Sequence, residues 1–264
     1  MAKLNAPQRS AKEHFDRQAE HYDKQWSSWS EESLRWLLEN AEPRPADSVL
    51  DIATGTGFTA LAFAPHVAHV IGLDVSPGML KQAQKRASEQ GIANVEFQEG
   101  AAEHLPFPDD SFDLVTCRIA PHHFLSVIKF VHEAARVLKP GGRLLLADTS
   151  VPDSDPEADH WQNTVEFLRD PSHVRNYTPS EWRAFLTDAG LTIETANYSG
   201  GIPITLNDWL IKAGCTPEQS IAVRIEFAAA TPAITDTYQI SFLPDNDIAF
   251  AWRRFAVKAS LPPP

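Results

Sequence analysis

Two apolar periods alternate along the middle of this chain. Between residues 48 and 148, short apolar runs are separated by segments whose apolar residues return every third or fourth place. The short runs read as strands and the longer period as amphipathic helices. Strands are expected at 48–52, 69–74 (HVIGLD), 94–98 (NVEFQ), 112–117 (FDLVTC) and 143–148 (RLLLAD). A first helix should run from Phe58 to about Pro65. A second opens with Ser76 as N-cap and Pro77 at its first position, and runs toward Gly91, a natural stop. In a third, Val127, Phe130, Val131, Ala134 and Leu138 share one face, and Lys139-Pro140-Gly141-Gly142 ends it. Strands that alternate with helices imply an α/β fold, with a mostly parallel sheet covered on both faces.

The flanks read differently. Residues 9–40 suggest two helices with polar faces and the aromatic anchors Phe15, Tyr22, Trp26, Trp29 and Trp36. Beyond Asp148, DPEADHWQNTVEFLRD (155–170) suggests a helix, and Thr178-Pro179-Ser180-Glu181 is a capping box that opens another, through Leu186. Residues 191–199 read as a strand, 205–240 as helical, helped by Thr216-x-x-Gln219, and 247–259 (DIAFAWRRFAVKA) as a closing strand. The expectation is a single domain over 1–264: an N-terminal helical lid (1–45), a ligand-binding core (46–150), and helices with the last two strands (151–264) that shape a substrate pocket.

The chemistry concentrates in VLDIATGTGFTA (49–60). Gly55, Gly57 and Ala60 fit G-x-G-x-x-G/A, a backbone turn that approaches a nucleotide-type ligand closely. Asp74, at the end of the second strand, suits vicinal ribose hydroxyls, and does so equally well for a dinucleotide or for S-adenosylmethionine (SAM). Asp51 separates the two. It stands four residues before Gly55, inside the first strand, where a dinucleotide fold would place an apolar residue. A carboxylate there is costly unless paired. SAM offers an ammonium group and a dinucleotide does not. The plainer alternative is that Asp51 only caps the loop's amides.

Composition narrows the partners. The formal charge is −12, with Lys and Arg scattered, so a phosphate backbone is repelled and nucleic acid is not the expected partner. The two cysteines, Cys117 and Cys215, are far apart, which argues against a disulfide framework or a CxxC zinc site and suits a reducing compartment. There is no signal-peptide pattern and no apolar run near the ~18 residues of a membrane span. The expectation is a cytoplasmic protein acting on a small molecule, with no metal. A homodimer is compatible with the sequence.

VLDIATGTG, VIGLDVSPGML, GAAEHLPFPDDSFDLV and EAARVLKPGGRLLLAD together resemble the successive motifs of class I SAM-dependent methyltransferases, nearest the ubiquinone/menaquinone C-methyltransferase-like (type 11) group. HFDRQAEHYDKQW resembles that group's N-terminal helix, so the likeness covers roughly 14–150. DPSHVRNYTPSEWRAFLTDAGL is similar to a subset of small-molecule members. The resemblance implies a Rossmann-like fold with a seven-stranded sheet, and SAM as cofactor with S-adenosylhomocysteine (SAH) as product. It implies Asp51, Ala53, Thr54, Gly55 and Gly57 beside the methionine and ribose, Asp74 and Val75 at the ribose, and Met79 on the adenine, unless Met79 is merely core. It implies Ala101, Ala102 and Glu103 along the adenine edge, and Cys117 and Arg118 under the methionine. Arg118 would meet the SAM carboxylate, or else a surface partner. Tyr22 is either a lid over the cofactor or a helix anchor. One departure stands out: the family turn often reads G-D-A-E, and Ala101 replaces its Asp. A lost bond to a charged acceptor is worth roughly 1.5–3 kcal/mol, unless Glu103 substitutes.

A sulfonium methyl is already activated, so the protein's task is alignment and exclusion of water. A base is needed only where the acceptor must lose a proton. IAPHHFLS (119–126) supplies His122 and His123. On extended backbone their side chains would point opposite ways, and His122 is the one expected to face the substrate. The alternative for both is that they serve only the loop's own hydrogen bonds. Asp148 is a further candidate, and Trp26, His160, Trp161, His173 and Tyr177 are candidates to wall the substrate. The rival reading is a SAM-binding relative that catalyses cyclisation or decarboxylation rather than methylation. More remote alternatives are a nicotinamide oxidoreductase, resting on the glycine pattern alone, and a catalytically silent SAM-binding partner protein.

Overall fold

The structure is a computed structural model describing residues 12, 13, 15, 16, 19, 28–201 and 203–263, apart from the side chains of 28–30. The chain order of strands is β1 (Ser48–Ile52), β2 (His69–Asp74), β3 (Val95–Glu99), β4 (Phe112–Arg118), β5 (Leu138–Ser150), β6 (Thr192–Gly200), β7 (Ile204–Thr205), β8 (Ser241–Phe242), β9 (Ile248–Phe250) and β10 (Arg253–Ser260). Seven of them form one sheet in the order β3-β2-β1-β4-β5-β10-β6. β1 pairs in parallel with both β2 and β4, so the strand order reverses there. Ligands of open α/β sheets bind outside the carboxyl ends at such a reversal. β10 runs antiparallel between β5 and β6.

Helices cover both faces because residues along each strand alternate sides. Val49, Val70, Leu114 and Leu145 face one way, against Leu37 and Ala41 of α1 (Ser28–Ala41), Leu61 and Phe63 of α2 (Phe58–Phe63), and Ala87 of α3 (Pro77–Glu89). Leu50, Val115, Leu144 and Leu146 face the other way, against Phe130 and Val131 of α4 (Val127–Val137) and Trp182 of α6 (Pro179–Asp188). The caps expected from the sequence are formed: Ser76 accepts from the Met79 amide, and Thr178 and Glu181 bond reciprocally.

A third apolar cluster lies in the C-terminal part. It joins Trp161 and Val165 of α5 (Pro156–Arg169), Trp209 of α7 (Leu206–Lys212), Phe227 of α8 (Pro217–Ala228) and Ile234 of α9 (Pro232–Thr237) to Tyr238, Phe250 and Trp252. Strands β7, β9 and β8 form a small sheet at its edge. Among the described residues no helix is long and apolar enough to cross a membrane.

Three elements differ from the sequence reading. β5 starts at Leu138, before the Pro-Gly-Gly, and Gly141 adopts φ 77° where the register against β4 slips. The 205–240 stretch is three helices, because Gly214 turns the chain and Thr216 and Thr231 each cap a new start. The closing strand is two. Ile248, Phe250 and Trp252 belong to the C-terminal cluster, whereas Phe255, Val257 and Ala259 belong to the main sheet. The apolar positions thus change from even to odd numbers, which turns the chain from one core to the other. Of the N-terminal helix pair, the region before Ser28 falls almost wholly outside the described residues.

Candidate active site

A cleft of about 1080 Å³ opens at the carboxyl ends of β1, β2 and β4. Its floor is the loop between β1 and α2. Gly55 adopts φ 55°, and a Cβ there would meet nothing within 4 Å, so its face is open to the cleft. Gly57 has another role. A Cβ at Gly57 would come within 3.0 Å of Ala83 and 3.2 Å of Phe97, so this glycine lets the loop seat against α3 and β3.

Two buried carboxylates shape this floor. Asp74 lines the cleft and takes one amide on each oxygen: Gly55 N at 2.8 Å on Oδ2 and Ser76 N at 2.9 Å on Oδ1. Asp51 lies below the loop and does not line the cleft. Its oxygens receive the hydroxyls of Thr54 at 2.6 Å and Thr116 at 2.7 Å, and Thr54 carries the connection up to the lining. Burial lifts both groups to about 6. The carboxylates therefore become fully charged only near neutral pH.

The walls come from four further stretches. Leu73, Val75 and Met79 supply apolar surface, joined by Phe58, Phe124 and the backbone at Gly100 and Ala102. Glu103 also lines the cleft, and its Oε1 accepts from Leu125 N at 2.9 Å. Arg118 enters from the end of β4, with its Nε 3.0 Å from the Thr59 hydroxyl. Phe15 closes one side and meets the His123 ring edge-on at 5.0 Å. Its neighbour Asp16 accepts from Gly78 N at 2.9 Å, at the start of α3, where an anionic side chain is favoured.

The histidine loop follows β4. Residues Pro121–His123 form a 3-10 turn rather than extended backbone, so the two side chains do not diverge. Their ring centroids lie 4.2 Å apart. His123 lines the cleft and contacts the Ser172 hydroxyl at 3.1 Å. His122 sits behind it. Its Nδ1 is 2.7 Å from Asp148 Oδ1, and its amide donates to Asp148 Oδ2 at 3.0 Å. Burial alone would pull the His122 imidazole down, but the charge and hydrogen bond of Asp148 outweigh it and the group is raised. Next comes His173, 5.7 Å from His122, which burial pushes down to about 2.

A family description of a methyltransferase domain matches residues 50–146. The chain is 42% identical over 210 residues to the uncharacterized methyltransferase YcgJ of Bacillus subtilis, covering 80% of this chain and 82% of that one. The crystal structure of YcgJ superposes with a TM-score of 0.85 at 39% identity, over 89% of this chain and 100% of the other. This chain belongs to that methyltransferase family. The ubiquinone/menaquinone biosynthesis C-methyltransferase UbiE of Brucella anthropi is 38% identical over 203 residues, 69% of this chain and 76% of its own. A [4+2]-cyclase, SpnF, shares the fold with a TM-score of 0.62 at 20% identity over 89% of this chain and 82% of its own, and that likeness speaks for the fold alone.

In this methyltransferase the structure gathers Ala53, Thr54, Gly55, Asp74, Val75, Met79, Ala102, Glu103, Arg118 and His123 around one cleft. It sets others apart. Cys117 is fully buried in the sheet core, and burial pushes its thiol up. Ala101 bridges to His104 and is not part of the lining. His160 is exposed on α5. Trp161 is stacked on Tyr238 at 5.2 Å, inside the C-terminal cluster. Tyr177 stands edge-on to Trp182 and Phe185. Tyr22 and Trp26 lie outside the described residues. Phe15, Phe58, Thr59, Ile119 and Phe124 line the cleft without having been singled out as ligand contacts. Ile119, with φ 53°, directly follows β4, and its place past a strand's carboxyl end was the available signal.

Proposed function

We propose that the cleft holds SAM and that this methyltransferase passes its methyl group to a small-molecule acceptor in the cytoplasm. The observation that carries the reading is the setting of Asp74. Each of its oxygens takes one backbone amide and keeps further lone-pair capacity beside the open face of Gly55, which suits two vicinal ribose hydroxyls. The apolar wall of Leu73, Val75 and Met79 suits a purine. Arg118 is the cation for the amino-acid carboxylate, and the Asp51–Thr54 pair orders the loop beneath the ammonium end. Glu103 is the acidic group left near the adenine edge where Ala101 offers none.

SAM, when bound, supplies an electrophilic methyl group. The chain's own residues align the acceptor and exclude water from the cleft. For an acceptor that loses a proton, His123 faces the cleft, and His122, whose basicity Asp148 raises, lies behind it. A proton on His122 Nδ1 is held by Asp148, which leaves Nε2 as the basic end. The net charge of −12 supports a small-molecule partner over nucleic acid. Isothermal calorimetry with SAH tests the cofactor assignment, and micromolar binding is the expected result. Absence of SAH binding removes the reading. Transfer of label from methyl-labelled SAM to an acceptor separates methylation from a rearrangement in which SAM stays intact.

A further inference from the structure

Behind the histidine loop, three neutral side chains keep polar atoms without a protein partner. They are Gln162 at both Oε1 and Nε2, His173 at Nδ1 and Asn176 at Nδ2. Their residues are 0%, 5% and 1% exposed. Polar atoms buried this deeply are ordinarily satisfied. The neighbours define what each one offers. Asn163 Nδ2 donates to Asp159, and its Oδ1 accepts from Asn176 N at 2.7 Å, so Oδ1 also accepts from His173 Nε2 at 3.0 Å. His173 is neutral, with its proton on Nε2, and Nδ1 therefore presents a bare lone pair. Asn176 Oδ1 accepts from the Thr149 hydroxyl, which turns its NH₂ outward as a donor. Gln162 offers both a donor and an acceptor.

The set stands next to the candidate reaction zone. Val174 N and Arg175 N both donate to the His122 carbonyl, at 2.8 and 3.1 Å. Thr149 directly follows Asp148, the partner of His122. Gln162 lies one helical turn before Glu166, whose charge acts on the His122 ring. Glu166 and Asp170 do not need the ligand: Glu166 pairs with Arg169 at 3.1 Å, and Asp170 accepts from Ser172.

We infer that Gln162, His173 and Asn176 recognise the methyl acceptor, and that its recognised end is neutral, with an N–H or O–H beside a carbonyl, as in a lactam. Such an edge pairs with the Gln162 amide through two antiparallel hydrogen bonds, and its remaining polar groups meet the His173 lone pair and the Asn176 NH₂. The three recognising groups are neutral, and the charges beside them are already paired, Arg169 with Glu166 and Arg175 with Asp159 and Glu181, so an ionic end would gain no free counter-charge to replace its lost hydration. This inference rests on the proposed methyl transfer.

The test uses the whole protein saturated with SAH, with 2-quinolone as probe and naphthalene as its hydrocarbon shape control, read by calorimetry. The expected result is 2-quinolone binding at least about tenfold tighter than naphthalene, as two neutral hydrogen bonds allow. Gln162→Leu and Gln162→Met should each weaken 2-quinolone about tenfold, leave SAH affinity within about twofold, and keep or raise Tm, because an apolar group then replaces an unpaired amide. Equal binding of the two probes, or binding of neither to the SAH-loaded protein, overturns the inference. So does a Gln162→Leu variant that melts lower while still binding 2-quinolone, because the amide would then be satisfied by buried water. Failure of the wild-type protein to bind SAH instead overturns the cofactor reading, and this inference with it.

Discussion

The cofactor half and the C-terminal half bury polar groups in opposite ways. Around the glycine loop, Asp51 and Asp74 each have both oxygens occupied by hydroxyls or amides from adjoining elements. Around α5, Gln162, His173 and Asn176 are buried with atoms left open. The first arrangement is rigid before any ligand arrives, because the chain itself orients the groups that meet it. The second, on our inference, is completed by the acceptor. The apolar cores are separate too: Trp161, Tyr238, Phe250 and Trp252 form an aromatic cluster that shares no member with the two flanking the main sheet. On the proposed reading, the cofactor site is built into the sheet, while the acceptor site borders a helical layer with its own core.

The largest expected effect breaks that second core. Trp161 touches Phe227, Tyr238 and Trp252 at centroid distances of 5.0, 5.2 and 6.0 Å. Trp161→Ala should destabilise the protein by about 3–5 kcal/mol. If the two halves are energetically distinct, the variant melts early by near-ultraviolet circular dichroism of its aromatic cluster, yet still binds SAH with nearly wild-type affinity at low temperature. Loss of SAH binding in parallel with melting would make the halves one cooperative unit.

Asp74→Ala probes the cofactor half. It removes an acceptor of charged type, worth about 1.5–3 kcal/mol, so SAH affinity should fall about 10- to 100-fold by calorimetry. Binding by the wild-type protein should also strengthen as pH rises from 5 to 7, because the Asp74 carboxyl, raised by burial to about 6, ionises in that window. An affinity flat across that range counts against Asp74 as the hydroxyl acceptor.

The contrast between the halves explains what the sequence disclosed. The strands 48–52 and 69–74, the caps at Ser76 and Thr178, and the change of character after Asp148 all follow local rules of period and capping. That Asp74 and Gly55 line the cleft was legible because clefts of open α/β sheets form at the carboxyl ends of parallel strands. Alternation would turn His122 toward the cleft only on extended backbone; Pro121 starts a tight turn instead, and His123 is the one that lines it. Gln162 and Asn176 were invisible: only tertiary packing decides whether a helical Gln meets water or is shut away from it. Trp161, His160 and Tyr177 drew notice by residue type, but type says nothing of which core an aromatic ring joins.

The His122–Asp148 pair tests the boundary between the halves through pH. The folded protein holds His122 above its ordinary 6.5, so this pair's contribution is full below pH 6.5 and is lost as pH rises through the folded value. Asp148→Asn should therefore lower stability most near pH 6, by about 2 kcal/mol, and the gap to wild type should narrow toward pH 8.5. Denaturant melts across that range read it out. A constant gap would mean that Asp148 acts on His122 only as a neutral hydrogen-bond acceptor.

The smallest effect sharpens the comparison most. Helix α6 belongs to the C-terminal half by sequence, yet its Trp182 and Leu186 are buried in the cluster that contains Leu50, Val115 and Leu146 of the main sheet. Its start depends on the Thr178–Glu181 capping box. Thr178→Ala should cost about 1 kcal/mol, and the loss should be felt by the cofactor half: saturating SAH should recover stability by mass action as it does in wild type. In Trp161→Ala, by contrast, SAH should protect the main sheet while the aromatic cluster still melts early. If SAH protects both variants alike, the boundary between the halves lies elsewhere than between α5 and α6. Protection that differs in the predicted direction places α6 with the sheet and α5, which carries Gln162, in the half that melts separately.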